Sequence, residues 1–376
     1  MATNPHPENE APSLRALDWA ALDTVEGRAQ WDALAAGAAE PNPFHESWYL
    51  LPALRALDPQ PRVRLLCLEH DGALAGLIPL TCEPRYYRWP IPQWCNWVHG
   101  NCFLGAPLVA AGYEQAFWAA LLDWADHHAG AGLFLHLAQL PLEGPLHTAL
   151  QIVLAAQRRP AGLVWHEDRA LLASAQSPEA YFEASLSGKK RKELRRQFTR
   201  LSELGEVQIE RETGDADLPC WIEDFLALEH SGWKGAAGSA LASHQATSAL
   251  FREALAGAAA RGKLERLTLR LGGQPIAMLA SFITPPGAFS FKTAFDERYA
   301  RYSPGVLLQR ENLALLDHPE VRWCDSCAAA DHPMIDHIWR ERRRIGRLSI
   351  AIGGRLRRAL FAGLLRAELR GGPARV

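Results

Sequence analysis

The sequence predicts an α/β protein built from two similar units. Two segments, HDGALAGLIPL from residue 70 and LGGQPIAMLASFI from residue 271, each place a Gly-containing turn before an apolar run, and they align by eye. Amphipathic helical patterns stand between the strand-like runs in both halves. This alternation indicates two mixed, twisted sheets flanked by helices.

Length and composition fit two globular domains. The 376 residues exceed a typical single core, and 48% apolar with 22% charged residues is a globular composition. The chain has no run of eighteen uninterrupted apolar residues, and its first twelve residues lack the pattern of a signal peptide. Seven scattered cysteines do not suggest a disulfide framework. We therefore expect a cytoplasmic protein.

Periodicity and turn residues define the elements of the first half. Trp19, Leu22 and Trp31 recur at helical spacings in an Ala-rich stretch, and Asp71-Gly72 is a typical hairpin turn. The predicted elements are helices at 16–39, 44–57 and 113–128, and strands at 62–68, 73–80 and 132–140.

The second half has a similar order of predicted strands, turns and helices, which follows a strongly basic helix at residues 189–200. That helix has no interleaved aromatic residues of the kind that bind nucleic acid, so no nucleic-acid partner is expected. The other predicted elements are strands at 264–271, 275–283 and 289–294 and a helix at 304–316.

Changes of composition divide the chain. The predicted parts are a flexible arm at 1–13, an N-terminal domain at 14–180, a connecting basic helix at 181–205, a C-terminal domain at 206–340 and a basic amphipathic tail at 341–376.

The charge is distributed unevenly along the chain. Residues 338–376 carry +9, which leaves −11 on residues 1–337. Arginines alternate with leucines and Phe361 over residues 355–369, as in helices that lie at a membrane interface. We expect residues 345–376 to bind an anionic membrane surface, on the inner face of the cytoplasmic membrane. The alternative is a helix docked on the protein's own acidic surface.

Three segments resemble one family. They are PFHESWYL from residue 43, SGKKRKELRRQFTRLSELGEV from residue 187, and GQPIAMLASF with FKTAFDERYARYSPGVLLQREN between residues 273 and 312. Together they resemble the CelD-like branch of GNAT acyltransferases, which is related to the Fem-type aminoacyl transferases. The resemblance spans most of residues 41–340, and FDERYARYSPG is its most specific part.

The resemblance implies two GNAT-like domains in tandem and an acyltransferase that uses acyl-CoA as co-substrate, with no permanently bound cofactor. An acyl carrier protein remains an alternative donor. The branch includes bacterial ceramide synthases, so the preferred acceptor is a long-chain amino lipid. The alternatives are an amino sugar of envelope polysaccharide, an aminoacyl transfer, and a non-catalytic partner in envelope assembly.

The resemblance also places the donor loop. A Ser-Pro-Gly turn between a strand and a helix leaves backbone N–H groups for phosphate at the helix N-terminus, and Gly305 would permit close approach. An ordinary Ser-Pro N-cap is the alternative. The predicted donor-binding residues are Arg301, Tyr302, Ser303, Pro304, Gly305, Val306 and Leu307.

Acyl transfer to an amine needs a base, and Glu229 and His230 near a predicted helix end can serve as one. A solvated helix end with a glycine cap at Gly232 is the alternative. Adjacent helical residues point about 100° apart, so only one of the two is expected to face the cleft. Lys292, on a predicted strand, can stabilise the oxyanion. An edge-strand lysine that prevents aggregation is the alternative for Lys292.

Three further residues are predicted to bind substrate. Trp233 and Lys234 follow the Glu229 helix, and the resemblance implies a functional segment there. His99 lies in the aromatic segment WPIPQWCNWVHGN, which either lines an acyl channel or forms core. Asp325, on the final predicted strand, is instead placed with the catalytic residues because it can orient the amine, and a strand-end carboxylate is the alternative.

The pattern C-x2-C-x4-H-x4-H superficially fits zinc. Its residues are Cys324, Cys327, His332 and His337. The cysteines are three apart on a predicted strand and so face opposite ways, and no glycine follows to make a knuckle turn. No metal site is therefore predicted. His332 and Asp336 also form an H-x3-D pattern, which is short enough to arise by chance.

Overall fold

The structure is a computed structural model that describes residues 12–370. Most of the arm predicted at 1–13 therefore lies outside the described residues. The strands are β1 (Ser13–Asp18), β2 (Arg64–His70), β3 (Ala73–Glu83), β4 (Gln93–Asn96), β5 (Leu108–Val109), β6 (Phe134–Pro141), β7 (Ala161–Leu172), β8 (Val207–Thr213), β9 (Leu264–Leu271), β10 (Gln274–Thr284), β11 (Gly287–Phe295), β12 (Trp323–Asp325) and β13 (Glu341–Ala351).

Eleven α-helices are assigned within the same residues. They are α1 (Val25–Ala36), α2 (Ser47–Leu57), α3 (Glu114–His127), α4 (Pro145–Ala156), α5 (Pro178–Ser185), α6 (Gly188–Ser202), α7 (Leu218–Ser231), α8 (Trp233–Ala236), α9 (Gln245–Ala259), α10 (Pro304–Glu311) and α11 (Arg355–Arg370).

The chain forms two compact units. Within the described residues the first contains 12–54, 58–167 and 344–370, and the second contains 55–57 and 168–343. The divisions fall inside β7 and β13. Residues 341–351, which the sequence assigns to the tail, form β13. The domain boundaries predicted at 180, 205 and 340 stay a prediction.

The first unit contains a mixed sheet with the strand order β1-β2-β3-β4-β6-β13, and β5 pairs with β3. The predicted hairpin at Asp71-Gly72 is confirmed, because β2 and β3 pair antiparallel around it. Both turn residues have positive φ, 48° and 74°, as a two-residue hairpin turn requires.

The helix predicted from residue 16 is wrong at its start. Residues 16–18 belong to β1, which pairs antiparallel with β2, with Leu14 opposite Leu68. The Ala-rich composition favours a helix, but the hydrogen bonds available at the edge of β2 outweigh this weak preference. The helix itself, α1, begins at Val25.

The second unit contains the strand order β7-β12-β11-β10-β9-β8. The predicted strands at 264–271, 275–283 and 289–294 are confirmed as β9, β10 and β11. The predicted helix at 304–316 is α-helical to Glu311, and Asn312–Asp317 continue it as a 3₁₀ helix.

The basic helix is confirmed as α6. The Ser187 hydroxyl caps it by accepting a hydrogen bond from the Lys190 amide at 3.3 Å. Its charges are not distributed all round, because Leu201 is buried and Phe198 packs on the same cluster, which includes Tyr302. These apolar contacts hold the helix against the second unit.

Within residues 12–370, no helix combines the length and the apolar character that crossing a bilayer requires.

Candidate active site

A gap opens beside β11 in the second unit. β11 and β12 run parallel and pair over three residues, from Gly287 opposite Trp323 to Phe289 opposite Asp325. β12 ends there, whereas β11 continues to Phe295. The part of β11 beyond Phe289 therefore borders a gap at the carboxyl ends of two parallel strands, where ligands bind in open α/β sheets.

A β-bulge lies at the start of this gap. Ala280 of β10 is opposite Lys292, and the next residue, Ser281, is opposite Ser290. Phe291 is therefore the additional residue on β11. Bulges of this kind redirect side chains and are common next to active sites.

Lys292 is the partly buried cation of the gap. Burial, and to a smaller extent the charge of Lys234, lower the pKa of its ammonium group to about 8, although Glu229 and Cys327 act in the opposite direction. Its Nζ lies 5.7 Å from the centroid of the Phe291 ring. A lysine with this pKa is mostly cationic at neutral pH and can interact with a developing negative charge.

Glu229 and Lys234 form a buried ion pair at the end of α7. The Lys234 ammonium donates to Glu229 Oε1 at 2.8 Å, and the Leu241 amide donates to Oε2 at 2.8 Å. Both carboxylate oxygens are therefore engaged in hydrogen bonds within the second unit. The neighbouring His230 side chain is exposed, as expected for residues that point about 100° apart.

Lys292, Glu229 and Lys234 form a charged cluster, and His332 is a further titratable group of it. Burial lowers the pKa of its imidazole, and the charge of Lys234 lowers it further, so the ring is neutral at pH 7. Its Nδ1 is buried and has no hydrogen-bond partner within residues 12–370. A neutral ring nitrogen of this kind can accept a proton.

Asp325 has different contacts from those predicted. Its side chain is completely buried and accepts hydrogen bonds from Arg169 at 2.7 Å, Arg343 at 3.0 Å and the Cys327 amide at 2.9 Å. Burial alone would raise the pKa of this carboxyl, but the two guanidinium groups hold it below its usual value. A direct contact with an amine would have to displace an arginine, so the predicted orienting role does not fit. Asp325 instead anchors β12.

Cys327 follows Asp325 and adjoins Lys292. Burial raises the pKa of its thiol well above the usual value, and the Asp325 charge raises it further. The thiol is therefore protonated at neutral pH and is a poor nucleophile. This environment disfavours an acyl-cysteine intermediate.

The predicted donor loop has fewer unpaired amides than expected. The Ser303 amide donates to Ala300 O at 2.9 Å, and the amides of Val306 and Leu307 both donate to Ser303 O at 3.0 Å. Pro304 has no amide hydrogen. The expectation of several free N–H groups is therefore wrong for these four residues, although Arg301 is exposed beside them.

Gly305 also serves a different purpose from the predicted one. It is buried, and a Cβ atom there would overlap the sulfur of Met334. The absent side chain therefore makes room for Met334, rather than for a phosphate. The assignment of residues 301–307 to donor binding stays a prediction.

The remaining predicted residues have separate surroundings. The Trp233 side chain is exposed, while its amide donates to Glu297 Oε1 at 2.8 Å. His99 lies in the first unit, where its ring stacks on Tyr49 with centroids 6.3 Å apart. The substrate-binding roles of Trp233, Lys234 and His99 stay predictions.

Sequence reasoning does not identify four residues of this environment, which are Cys327, His332, Arg169 and Arg343. Cys327 and His332 stand out in the sequence only through the zinc-like pattern and the H-x3-D pattern, and no local signal marks the two arginine partners of Asp325. The H-x3-D spacing was the available hint for His332. Within residues 12–370, no group of three or more His, Cys, Asp and Glu side chains is arranged to hold a metal ion.

One region of the chain matches a model of a known protein family. It contains the gap, the basic helix α6 and the helix α10 that follows β11. Residues 188–333 match the family model described as "Acetyltransferase (GNAT) domain". The match lies within the second unit and covers less than half of the chain. Among proteins of curated function, none matches the chain.

Solved structures share the fold over most of the chain at low identity. The crystal structure of FemX is 10% identical with a TM-score of 0.54, over 89% of this chain and 98% of that one. The C-terminal domain of a putative lysylphosphatidylglycerol synthetase from Agrobacterium fabrum is 14% identical with a TM-score of 0.54, over 90% and 96%. A conserved protein of unknown function from Bacteroides thetaiotaomicron is 12% identical with a TM-score of 0.55, over 86% and 97%. At these identities the similarity concerns the fold alone.

Proposed function

We propose that the second unit is an N-acyltransferase, which moves an acyl group from acyl-CoA or an acyl carrier protein to an amine. The observation that carries this proposal is that Lys234 acts electrostatically on both Lys292 of β11 and the buried His332, inside the matched acetyltransferase region. A thioester and an amine need a cation near the oxyanion and a base near the nitrogen, and the cluster offers both.

The proposed reaction is a direct attack. The amine nitrogen bonds to the thioester carbonyl carbon, and the carbonyl oxygen becomes an oxyanion that Lys292 stabilises. His332 takes the proton from the nitrogen. The C–S bond then breaks and the thiolate leaves, taking up a proton. The products are an amide and a free thiol.

We assign Glu229 a positioning role in this reaction. Its two oxygens accept hydrogen bonds from Lys234 and the Leu241 amide, so it fixes the cation that, together with burial, lowers the pKa of His332. The sequence-based alternatives, Glu229 or His230 as the base, are distinguished from His332 by substitution at each position.

The donor is proposed to approach the loop at 301–307 and the basic helix α6. The exposed Arg301 and the lysines and arginines of α6 provide positive charge for the CoA phosphates or for an acidic carrier protein. The assay that tests donor and activity measures thiol release from acyl-CoA of several chain lengths, with and without added amines. Thiol release that requires an amine and is lost in Lys292→Met supports the proposal, and no release with any donor overturns it.

The preferred acceptor is a long-chain amino lipid, as in ceramide formation. The feature that favours a lipid is the amphipathic helix α11, whose outer surface carries leucines and arginines. An enzyme that acylates a membrane lipid must reach the bilayer surface.

A further inference from the structure

Helix α11 in the first unit carries an exposed leucine stripe. Leu356, Leu360 and Leu364 are spaced four residues apart, so they share one face. Their exposed fractions are 84%, 66% and 41%. Large apolar side chains in such a row are costly to leave in water unless they contact a partner.

The opposite face of α11 fixes this orientation. Phe361 and Leu365 are buried, with the Phe361 ring 5.3 Å from that of Phe134. Leu365 lies against Gly162, where even a Cβ atom would clash. The helix therefore docks on its own unit through Phe361 and Leu365, and the leucine stripe cannot turn inward. The sequence grouped all of these apolar residues on one face, and the structure divides them between two.

Charged contacts at the start of α11 strengthen this docking. Arg358 pairs with Asp126 at 2.5 Å and donates to Gly353 O at 2.8 Å. Arg357 donates to the carbonyls of Gly130 and Gly132. These two arginines are engaged within the first unit and are not available to a partner.

Three other arginines of α11 point to solvent. Arg355, Arg366 and Arg370 are exposed, and at about 100° per residue they lie on one side of the leucine stripe. None of them has an ion-pair or hydrogen-bond partner within residues 12–370. The surface therefore offers cations next to apolar side chains.

An aromatic loop lies on the other side of the stripe. Tyr87 and Trp89 are 42% and 55% exposed, and the Arg88 guanidinium lies 5.4 Å from the Trp89 ring centroid. The Tyr86 hydroxyl donates to Glu368 Oε1 of α11 at 2.7 Å, which joins the loop to the helix. Tyrosine and tryptophan prefer the boundary between water and hydrocarbon, where one end is apolar and the other hydrated.

We propose that α11 and the loop at 86–89 form one membrane-binding surface, whose partner is an anionic lipid bilayer. The leucines enter the acyl boundary, the aromatic rings lie at the headgroup level, and the three exposed arginines contact anionic headgroups. A protein partner would need a complementary surface with both acidic and apolar residues, whereas a bilayer with anionic headgroups provides both at once. The biological use of the surface rests on the proposed lipid acceptor, but binding itself requires no catalysis.

The test uses the full-length protein and vesicle flotation. Vesicles of phosphatidylcholine alone are compared with vesicles that contain phosphatidylglycerol, at low and high salt. We expect the protein to bind the anionic vesicles, and this binding should weaken as the salt concentration rises. Binding to phosphatidylcholine alone should be weaker by tenfold or more, because each arginine near an anionic lipid strengthens binding by about fivefold.

Substitutions separate the parts of the surface. Leu360→Ser with Leu364→Ser is expected to weaken binding by about tenfold or more through lost apolar burial. Trp89→Ser should weaken binding by a smaller factor, and Arg366→Gln with Arg370→Gln should reduce only the anionic preference. Ile152→Ser, at an equally exposed apolar residue elsewhere in the first unit, is the matched control and should bind like the wild type.

Two outcomes would overturn the proposal. One is equal flotation of the wild type and the double leucine variant, with thermal unfolding unchanged in both. The other is a wild-type dimer that becomes a monomer in the leucine variant without any vesicle binding, which would make the stripe a protein interface. Thiol release in solution, without detergent or vesicles, measures the proposed acyltransferase activity independently of membrane binding. A failure of the membrane proposal can therefore be distinguished from a failure of the proposed function.

Discussion

Lys292 is the residue whose charge state matters most for the proposed chemistry. Its pKa of about 8 results from burial and from Lys234, so it is mostly cationic at pH 7 and loses its charge as the pH rises through 8. Stabilising an oxyanion requires the cationic form. The environment of a single side chain therefore sets an alkaline limit on activity.

We expect kcat/KM for thioester aminolysis to fall above pH 8 in the wild type. Lys292→Arg should retain activity at higher pH, because arginine stays protonated there. Lys292→Met should lower the rate at pH 7 by about a hundredfold or more. The measurement is a pH profile of thiol release from pH 6 to 10. An alkaline limb that is the same in Lys292→Arg and the wild type would assign it to another group.

We expect His332 to set an acidic limit on activity, as Lys292 sets an alkaline one. Because burial and Lys234 lower its pKa below 6.5, the rate should rise as the pH rises through that lowered value. His332→Gln should reduce kcat by about 10²–10⁴ and remove the acidic limb. His230→Gln, on the exposed neighbour of Glu229, is the comparison variant. If His230→Gln shows the loss and His332→Gln does not, the sequence-based choice of base is correct.

Asp325 is expected to act through stability. Removal of its charge by Asp325→Asn leaves Arg169 and Arg343 without their buried counter-ion, which should lower the free energy of unfolding by about 3–5 kcal/mol. Urea unfolding measures this change. Glu223→Gln, in an exposed pair with Arg252, is the control and should cost less than about 1 kcal/mol.

The pKa of the Asp325 carboxyl also predicts how the stability of the protein changes with pH. Its folded-state pKa is depressed, so the contribution of Asp325 is fully present above the pKa it has in the unfolded chain. The contribution is lost as the pH falls through the folded-state pKa. The stability difference between wild type and Asp325→Asn should therefore shrink towards low pH.

At the scale of elements, the start of α10 is fixed by packing rather than by free amides. Gly305 lies against Met334, which belongs to the segment between β12 and β13. His332 lies two residues before Met334, in the segment that packs against the start of α10. The glycine thus helps to position the cluster without contacting substrate.

Gly305→Ala should lower the free energy of unfolding by about 1–3 kcal/mol through overpacking, towards the lower end because the Met334 side chain is flexible. Met334→Ala in the same chain should relieve the clash, so that the double variant is more stable than the two separate effects predict. Chemical denaturation of the four proteins forms a double-mutant cycle. Additive effects would contradict the proposed contact.

At the scale of the whole molecule, the basic segment is less available than its charge suggests. Arg343 pairs with Asp325, Arg342 with Asp336 and Arg358 with Asp126. Part of the +9 charge of residues 338–376 therefore stabilises the two units from within. The remaining arginines of α11 carry the proposed interaction with lipid.

The acceptor is tested in cells. Acyl-chain-resolved lipid mass spectrometry should show an N-acylated lipid that is lost without the gene and restored by the wild type. Glu223→Gln should restore it as well, and Lys292→Met should not. A lipid profile that does not change would exclude the lipid acceptor and favour an amino sugar of the envelope.

The sequence by itself determined some of the elements and the region of chemistry. Alternating apolar residues and the turns at Asp71-Gly72 and Gly272-Gly273 predicted the strands, because both signals are local. The resemblance of residues between 187 and 312 placed the acyltransferase domain where the family model also matches. Local signals failed at β1, where pairing with β2 overrode an Ala-rich composition.

Only the tertiary structure decided which side chains meet. Asp325 is predicted to orient the amine, but its carboxylate pairs with Arg169, which is 156 residues away in sequence. His332 joins Lys234, almost a hundred residues earlier, through its electrostatic environment. Such neighbours depend on strand order, on the register of β11 and on where β12 ends. Those properties result from packing of the whole unit, and no local pattern of residues encodes them.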